Sequence, residues 1–279
     1  MTRLIAAALL LLVSVAGAAG EPLIAAHRGG AALWPENSLL AFKNALALGV
    51  DFLETDVHLT ADGEVVILHD PTLDRTTTGT GPLAARRLAD LAPIRLRAAD
   101  GTPTDERLPT LVQLLDLLSS HPPRGEGSRV GGPPARLLLE IKVDAARRPY
   151  PGIEDKVLAL IRGRGLTSRV LIMAFQPDTL RRVHALDPAI PSVLLVGRAR
   201  MERDPIAAIV QEALDVRATH LGVDHRAIDA ATVAAAREAT LTLASWTVNA
   251  EFDLRRMIDL GVNVLITDRP DLAKRLTPR

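Results

Sequence analysis

Short apolar runs alternate with longer amphipathic segments along the chain from Leu23 onward. Short runs rich in β-branched residues, each followed by a segment with helical spacing, are typical of strand–helix units in a parallel sheet. The pattern predicts eight strands, at Leu23–Ala26, Asp51–Leu59, Arg136–Lys142, Val170–Phe175, Ser192–Val196, Thr219–Val223, Leu241–Val248 and Asn263–Thr267.

The segments between these strands have the periodicity of helices. They predict helices at Ser38–Leu48, Ile153–Arg164, Pro177–Leu186, Pro205–Leu214, Asp229–Ala239 and Glu251–Leu260. Eight strands with intervening helices favour closure into a barrel over an open doubly wound sheet. We therefore expect an α/β fold, one TIM-type (β/α)8 barrel, which fits a chain of 279 residues.

Two segments interrupt this alternation. Glu64–Ile67 follows an Asp-Gly pair, which predicts a strand returning through a tight turn. The segment Pro71–Pro109 is rich in Thr, Gly, Arg and Asp and exceeds an ordinary connection, so we expect a small inserted lobe after the second strand, before a helix at Leu111–Leu118. The second interruption, Pro122–Pro134, combines prolines and glycines without apolar periodicity and predicts a surface loop.

The N-terminal segment differs from the rest of the chain. Arg3 precedes an apolar run, Leu4–Val15, which passes into the small residues Ala16–Gly20. This layout is typical of a cleaved secretory signal, and the apolar run is shorter than the roughly 20 residues that span a bilayer. We expect residues 1–20 to be a signal peptide, residues 21–279 to form the barrel domain, and the protein to be periplasmic or secreted, without stable membrane insertion.

Composition excludes several classes of function. Lysine plus arginine and aspartate plus glutamate both number 33, so no global field would attract nucleic acid. The chain has no cysteine, which excludes disulfides, thiolate metal sites and a cysteine nucleophile. We therefore expect a small-molecule substrate bound by local charges, while the oligomeric state stays open.

Charged residues cluster where predicted strands end, the functional face of a TIM barrel. The first strand is followed by His27 and Arg28, and the second carries Glu54, Asp56 and His58 on one side, with apolar Phe52, Leu53 and Val57 as their alternating neighbours. The third strand ends with Glu140 and Lys142. Each pair alone could be an ordinary ion pair. Three carboxylates meeting at one mouth would repel one another unless a cation lay between them, which favours one divalent cation, Mg²⁺ or Ca²⁺.

These residues resemble the glycerophosphodiester phosphodiesterase family over about Leu23–Leu272. The motifs that carry the resemblance are His27-Arg28-Gly29, Pro35-Glu36-Asn37-Ser38, Glu54-x-Asp56, His69-Asp70-Pro71-Thr72-Leu73-Asp74-Arg75-Thr76-Thr77, Glu140-x-Lys142, Trp246-Thr247-Val248-Asn249 and Gly261-Val262-Asn263 through Thr267-Asp268-Arg269-Pro270. The resemblance implies a TIM barrel with a lobe after the second strand, a divalent metal, and hydrolysis of glycerophosphodiesters to glycerol 3-phosphate and an alcohol.

The resemblance also implies roles for individual residues. It makes His27 and His69 the acid and base, without deciding which is which. Arg28 and Lys142 would meet phosphate oxygens. From its place at the end of a barrel strand, we expect Trp246 to line the substrate cleft, with ordinary burial as the alternative, and we expect Glu36 to orient the site. The metal ligands would be Glu54, Asp56 and Glu140.

A few further residues stay ambiguous in the sequence. Asn37 or Ser38 could cap the following helix, and we favour a capping role for Asn37. His58 is a candidate to support the site from behind. Asp224 and His225, after the sixth predicted strand, stay a further candidate pair.

Two alternative functions remain from the sequence. One is a related barrel phosphodiesterase acting on another lipid-derived phosphodiester. The other is a non-catalytic periplasmic protein that binds phosphodiesters, which would need the metal and Arg28 but not two facing histidines.

Export should remove the first 18 to 20 residues, because the apolar run Leu4–Val15 would otherwise expose a patch that the barrel cannot cover. The intact mass of protein recovered from the periplasm or medium should correspond to a chain whose first residue lies within Ala19–Glu21. Recovery of protein that retains Met1 in a membrane fraction would contradict the prediction.

Overall fold

The structure is a computed structural model that describes residues 20–121 and 134–277. Residues 1–19 of the predicted signal peptide and residues 122–133 of the predicted surface loop lie outside these ranges. Within the described residues, no helix is both long and apolar enough to cross a membrane.

The strands and helices alternate as the sequence predicts. The strands are β1 (Leu23–Ala26), β2 (Phe52–Leu59), β3 (Val65–Ile67), β4 (Arg95–Arg97), β5 (Pro103–Arg107), β6 (Arg136–Ile141), β7 (Val170–Ala174), β8 (Ser192–Val196), β9 (His220–Asp224), β10 (Thr242–Trp246) and β11 (Val264–Thr267). The helices are α1 (Leu39–Leu48), α2 (Leu88–Leu91), α3 (Leu111–Ser120), α4 (Ile153–Arg162), α5 (Pro177–Leu186), α6 (Arg198–Arg203), α7 (Ile206–Asp215), α8 (Ala230–Glu238), α9 (Glu251–Leu260) and α10 (Pro270–Leu276).

Parallel strands close into a barrel. The order around the barrel in the described residues is β1, β2, β6, β7, β8, β9, β10 and β11, and β1 pairs with both β2 and β11. The helices cover its outer surface, where they bury a continuous apolar cluster against the strands. The expected (β/α)8 barrel is confirmed.

The barrel interior is filled by alternate strand residues. A separate cluster occupies it, comprising Ala25, Phe52, Leu138, Leu171, Met173, Val193, Leu195, Ala244, Val264 and Ile266. Phe52 therefore belongs to the interior, on the same side of β2 as Glu54 and Asp56, so counting it with the opposite side of the strand was wrong. Period-two geometry requires this placement because residues 52, 54 and 56 share one side.

The inserted lobe has its own small core. Strand β3 pairs antiparallel with β2, as the tight turn predicts, and β4 pairs antiparallel with β5. A third apolar cluster lies under these elements, comprising Val66, Leu68, Leu73, Leu83, Leu91, Leu96 and Leu108. The chain enters and leaves the lobe at the same place on the barrel. There Val66 forms a β-bridge with Thr110, and the Ile67 amide donates to the Pro109 carbonyl at 2.8 Å.

Gly29 lets the turn after β1 approach helix α1 closely. It is buried and has φ +81°, and a Cβ built on it would lie 2.7 Å from Ala41 Cβ and 3.0 Å from the Ala41 backbone carbon. Glycine is required here by both conformation and space. The contact fixes His27 and Arg28, which precede it, against the barrel.

Replacing Gly29 with Ala should lower the free energy of unfolding by about 2–4 kcal/mol, from a left-handed backbone and a clash with helix backbone. Gly165→Ala is the matched control, since Gly165 has φ +67° and nothing within 4 Å of a built Cβ. It should cost only about 1–2 kcal/mol. Urea unfolding measures both, and equal losses would show that the approach to Ala41 is unimportant.

Candidate functional site

A cavity opens at the carboxyl ends of the barrel strands and brings together most of the predicted site residues. Its volume is about 120 Å³. It is lined by His27, Arg28, Glu54, His69, Glu140, Lys142, Met173, Phe175, Leu195, Trp246, Thr247 and Ile266. Asp56 lies fully buried beside it, and Glu36 lies behind Arg28 rather than in the wall.

The two sides of this cavity differ in chemistry. Polar and charged side chains come from β2, β6, the turn after β1 and the segment after β3. The opposite wall is apolar and is supplied by β7, β8, β10 and β11, where Phe175 and Trp246 meet edge to face with ring centroids 5.6 Å apart. Such a cavity suits a ligand with one anionic part and one carbon-rich part.

Three carboxylates converge because of strand register. Asp56 and Glu140 are direct partners across the β2–β6 pair, and Glu54 lies two residues earlier on the same side of β2. One ligand oxygen from each of the three lies within 4.8 Å of the others. Lys142 Nζ lies 2.9 Å from Asp56 Oδ1 and 2.8 Å from Glu140 Oε2.

The three carboxyl groups of this cluster outnumber the two cations beside them, Lys142 and Arg28. Burial raises the pKa of Glu54 well above its ordinary value, and the charge of Asp56 adds to this effect. Burial likewise raises the pKa of Glu140 despite Lys142. Burial would also raise the pKa of Asp56, but Lys142 and Arg28 outweigh it and hold the pKa below its ordinary value. Ionising all three carboxylates is therefore costly in the protein alone, and a divalent cation held by their oxygens would offset that cost.

Arg28 is fixed by both its backbone and its side chain. It has φ 51°, which is uncommon for a non-glycine residue, and its backbone N–H donates to Glu54 Oε2 at 2.8 Å. Its Nη1 donates to Glu36 Oε1 at 3.0 Å. A guanidinium held in this way is ready to meet an anion in the cavity.

Asn37 supports the carboxylate cluster and does not cap helix α1. Its Nδ2 donates to Asp56 Oδ2 at 3.0 Å, and its Oδ1 accepts from Thr55 Oγ1 at 2.9 Å. Ser38 is the N-cap, accepting from the Ala41 amide at 3.0 Å. The capping role expected for Asn37 was therefore wrong, because adjacent residues both fit the cap in sequence and only tertiary contacts separate them.

His27 is oriented by an aspartate from the opposite end of the chain. Its Nδ1 donates to Asp268 Oδ1 at 2.6 Å, which leaves Nε2 on the cavity side, 3.9 Å from Glu54 Oε2. Asn249 Nδ2 donates to the other Asp268 oxygen at 2.6 Å. No role was predicted for Asp268 or Asn249. Asp268 directly follows β11, and Asn249 lies three residues after the end of β10.

His69 has a matching aspartate beside it in sequence. Its Nδ1 donates to Asp70 Oδ1 at 2.6 Å. The hydrogen bond from His69 holds the pKa of Asp70 below its ordinary value. Each cavity histidine thus has one nitrogen tied to a carboxylate, which fixes the ring and its tautomer.

His58 supports His69 from behind, as its position on β2 suggested. Its Nε2 donates to the His69 carbonyl at 3.1 Å, and Tyr150 Oη lies 2.9 Å from its Nδ1. Burial lowers the pKa of His58 to about 4, so the ring is neutral and Nδ1 accepts from the tyrosine hydroxyl. Nothing in the sequence indicated Tyr150, which is 92 residues away.

A wider groove of about 680 Å³ adjoins the cavity across His69, Glu140 and Lys142. It continues toward the segment after β6, which contributes Asp144 and Arg147. Asp224 and His225 line neither of these two spaces. Asp224 pairs with Arg226 at 2.6 Å, and His225 lies 3.6 Å from Asp253.

Comparison with known proteins identifies the family. The model of the glycerophosphoryl diester phosphodiesterase family matches residues 27–272. The chain belongs to this family. Glycerophosphodiester phosphodiesterase of Bacillus subtilis strain 168 is 31% identical over 90% of this chain and 84% of that protein. The enzyme of the same name from Caldanaerobacter subterraneus subsp. tengcongensis is 32% identical over 90% of this chain and 96% of that protein.

Solved structures of proteins assigned to the family share the fold. One from Agrobacterium tumefaciens superposes with a TM-score of 0.81 and is 27% identical, covering 92% of this chain and 98% of that one. Another, from Silicibacter pomeroyi, has a TM-score of 0.80 and 25% identity, covering 92% and 94%. The barrel is thus an architecture that this chain shares with these proteins.

Proposed function

We propose that this protein hydrolyses glycerophosphodiesters to glycerol 3-phosphate and an alcohol. The observation that carries the proposal is the pair of histidines, each tied through Nδ1 to an aspartate, at a cavity that also holds Arg28, Lys142 and the carboxylate cluster. Family membership and the names of the two bacterial relatives support the same activity. A protein that only captured phosphodiesters would need the cations but not two oriented imidazoles.

Glu54, Asp56 and Glu140 would hold the divalent cation. Their donors are all oxygens, which Mg²⁺ and Ca²⁺ prefer, and a cation among them would favour the ionised form of Glu54, which burial and the charge of Asp56 disfavour. When bound, such an ion offsets charge on the phosphate in the transition state. Asn37 would keep Asp56 in place through the hydrogen bond to Oδ2.

Arg28 and Lys142 would bind the phosphate oxygens from the polar side of the cavity. The guanidinium offers several donors in a planar fork, whereas the ammonium acts as a point charge. Glu36 fixes Arg28 from behind, in agreement with an orienting role. Both cations oppose charge that grows on the phosphate oxygens as the reaction proceeds.

His27 and His69 would transfer the protons. Hydrolysis removes a proton from the attacking oxygen and gives one to the leaving alkoxide, and imidazole has the side-chain pKa closest to neutral pH for either task. Because Nδ1 of each ring is tied to an aspartate, Nε2 is the nitrogen left to exchange a proton. The aspartates stabilise each imidazolium as it forms.

The apolar wall would contact the carbon atoms of the substrate. Trp246 and Phe175 form its outer part. The enclosed cavity suits the small glycerol arm, and the wider groove beyond His69 suits alcohols of different size. We also propose that the barrel domain acts after export to the periplasm or medium, in agreement with the apolar N-terminal segment.

A panel of glycerophosphodiesters with choline, ethanolamine, glycerol or inositol, assayed after metal stripping, tests the function directly. Turnover of at least one, restored by Mg²⁺ or Ca²⁺, is the expected result. Binding of these compounds without any release of glycerol 3-phosphate would favour the capture protein instead.

Asp56→Asn and Glu140→Gln should each weaken binding of a divalent cation by more than about tenfold. Loss of a residue that only supports a metal ligand already costs about that much, and these two are proposed as ligands. Glu64→Gln is the control, since Glu64 is exposed beside β3 and outside the cluster. Calorimetry with Mg²⁺ and Ca²⁺ measures the affinities without relying on turnover. Full activity in excess chelator, with no metal detected in the protein, would refute the metal assignment.

Replacing either His27 or His69 by Ala should lower kcat by roughly two to four orders of magnitude while leaving metal affinity nearly unchanged. A substrate with a nitrophenolate leaving group needs little protonation, so it should partly rescue only the variant that has lost the acid. If both variants keep more than about a tenth of wild-type activity on glycerophosphocholine, the two-histidine mechanism is wrong.

A further inference from the structure

Arg75 lies in the inserted lobe and binds two carboxylates at once. Its Nε and Nη2 donate to Asp70 at 2.6 and 3.1 Å. Its Nη1 and Nη2 donate to Glu36 at 2.9 Å each. Arg75 is not part of the cavity wall. These hydrogen bonds use both edges of one guanidinium. They join Asp70, next to His69, to Glu36, which lies 39 positions before Arg75 in the chain.

Each of these carboxylates also holds one side chain of the proposed site. Asp70 Oδ1 accepts from His69 Nδ1 at 2.6 Å, and Glu36 Oε1 accepts from Arg28 Nη1 at 3.0 Å. The same two oxygens accept from Arg75 Nη2. A single guanidinium is therefore one residue removed from both a proton-transferring histidine and a phosphate-binding arginine.

We propose that Arg75 is a positioning residue that fixes His69 and Arg28 relative to each other through Asp70 and Glu36. The proposal rests on the function proposed above, in which these two side chains act on the substrate. It also gives the inserted lobe a task, because Leu73 and Thr77, close to Arg75 in sequence, are anchored in the lobe's buried interior and bring the guanidinium to the barrel mouth.

Arginine suits this place and lysine does not. Two carboxylates lie on two edges of the planar group, and each receives two hydrogen bonds, which an ammonium ion on a flexible stem cannot reproduce. Without Arg75, Asp70 and Glu36 would lose their shared cation, and each carboxylate could rotate together with the side chain it holds. A shift of about 1 Å in such a group can cost on the order of 100-fold in rate.

Arg75 is nevertheless a poor candidate for stabilising the fold. Its side chain is 47% exposed, and exposed ion pairs contribute roughly 0–1 kcal/mol. A positioning role therefore predicts a loss of catalysis with little loss of stability. This combination separates positioning from a merely structural contact.

The test uses Arg75→Gln, Arg75→Lys and the control Arg97→Gln. Arg97 lies in the same lobe, but it donates to the backbone carbonyls of Thr77 and Gly101 and to neither carboxylate of the site. Arg75→Gln should lower kcat/KM for a glycerophosphodiester by roughly 10- to 100-fold, with thermal stability and metal affinity near those of wild type. Arg75→Lys should recover part of the loss, and Arg97→Gln should stay within about threefold of wild type.

Double variants identify the route of the effect. With Asp70→Asn already present, adding Arg75→Gln should change mainly KM. In that background Arg75 acts only on Arg28, through Glu36. With Glu36→Gln present, the same change should act mainly on kcat, through His69. If Arg75→Gln lowers kcat/KM by the same factor in both backgrounds as in the wild type, its effect is independent of Asp70 and Glu36, because independent residues are additive in free energy. That result would overturn the proposal.

A measurement without turnover completes the test. Inorganic phosphate binding, followed by calorimetry in the presence of Mg²⁺ or Ca²⁺, should weaken in Arg75→Gln but not in Arg97→Gln. Wild type that hydrolyses no glycerophosphodiester would refute the proposed function, while the phosphate affinities would still decide the positioning role. Active wild type with Arg75→Gln within threefold of it in kcat/KM, and unchanged in phosphate affinity, would refute the positioning role alone.

Discussion

Asp56 is a carboxylate with no exposed surface, and the site is arranged around keeping its charge inside the protein. Lys142, Arg28 and Asn37 reach it from three different parts of the chain. Burying a charge is costly unless it is paired and hydrogen-bonded, so these contacts constrain the barrel mouth more than any apolar contact there. Glu54 and Glu140 share the same space and burial raises the pKa of both, so a further cation there would favour their ionised forms.

The division of the cavity into a charged side and an apolar side follows from this constraint. Charged residues gather on β2 and β6, whose register places Asp56 beside Glu140, while the far strands contribute side chains such as Met173 and Ile266. A phosphodiester with a carbon-rich arm has the same division into a charged part and an apolar part. In the proposed function, negative charge thus develops on the polar side of the cavity, whereas the carbon atoms of the substrate bind to the apolar wall.

Sequence predicted the barrel and the cavity residues because both depend on local rules. Strand period and strand order bring Glu54, Glu140 and Lys142 to one mouth whatever the loops do. The supporting residues depend on contacts between distant segments. Asp268 with His27 and Tyr150 with His58 are separated by 241 and 92 positions, and no local pattern indicates such pairs.

The same limit explains the error at Asn37. Its sequence context satisfies the rule for a helix cap, and its actual partners, Asp56 and Thr55, become neighbours only when β2 packs beside the turn. The histidine roles and the position of Glu36 came from a resemblance to a family. Their geometry depends on Asp268, Asp70 and Arg75, for which the sequence indicated no role.

The inserted lobe begins and ends at the same place on the barrel, where Val66 meets Thr110. Its hairpin tip, around Asp100 and Gly101, is exposed. Lengthening a loop adds little closure entropy, and exposed tips accept insertions readily. The lobe is therefore a module whose size and outer surface can vary among proteins of this architecture while the barrel strands and their register are retained.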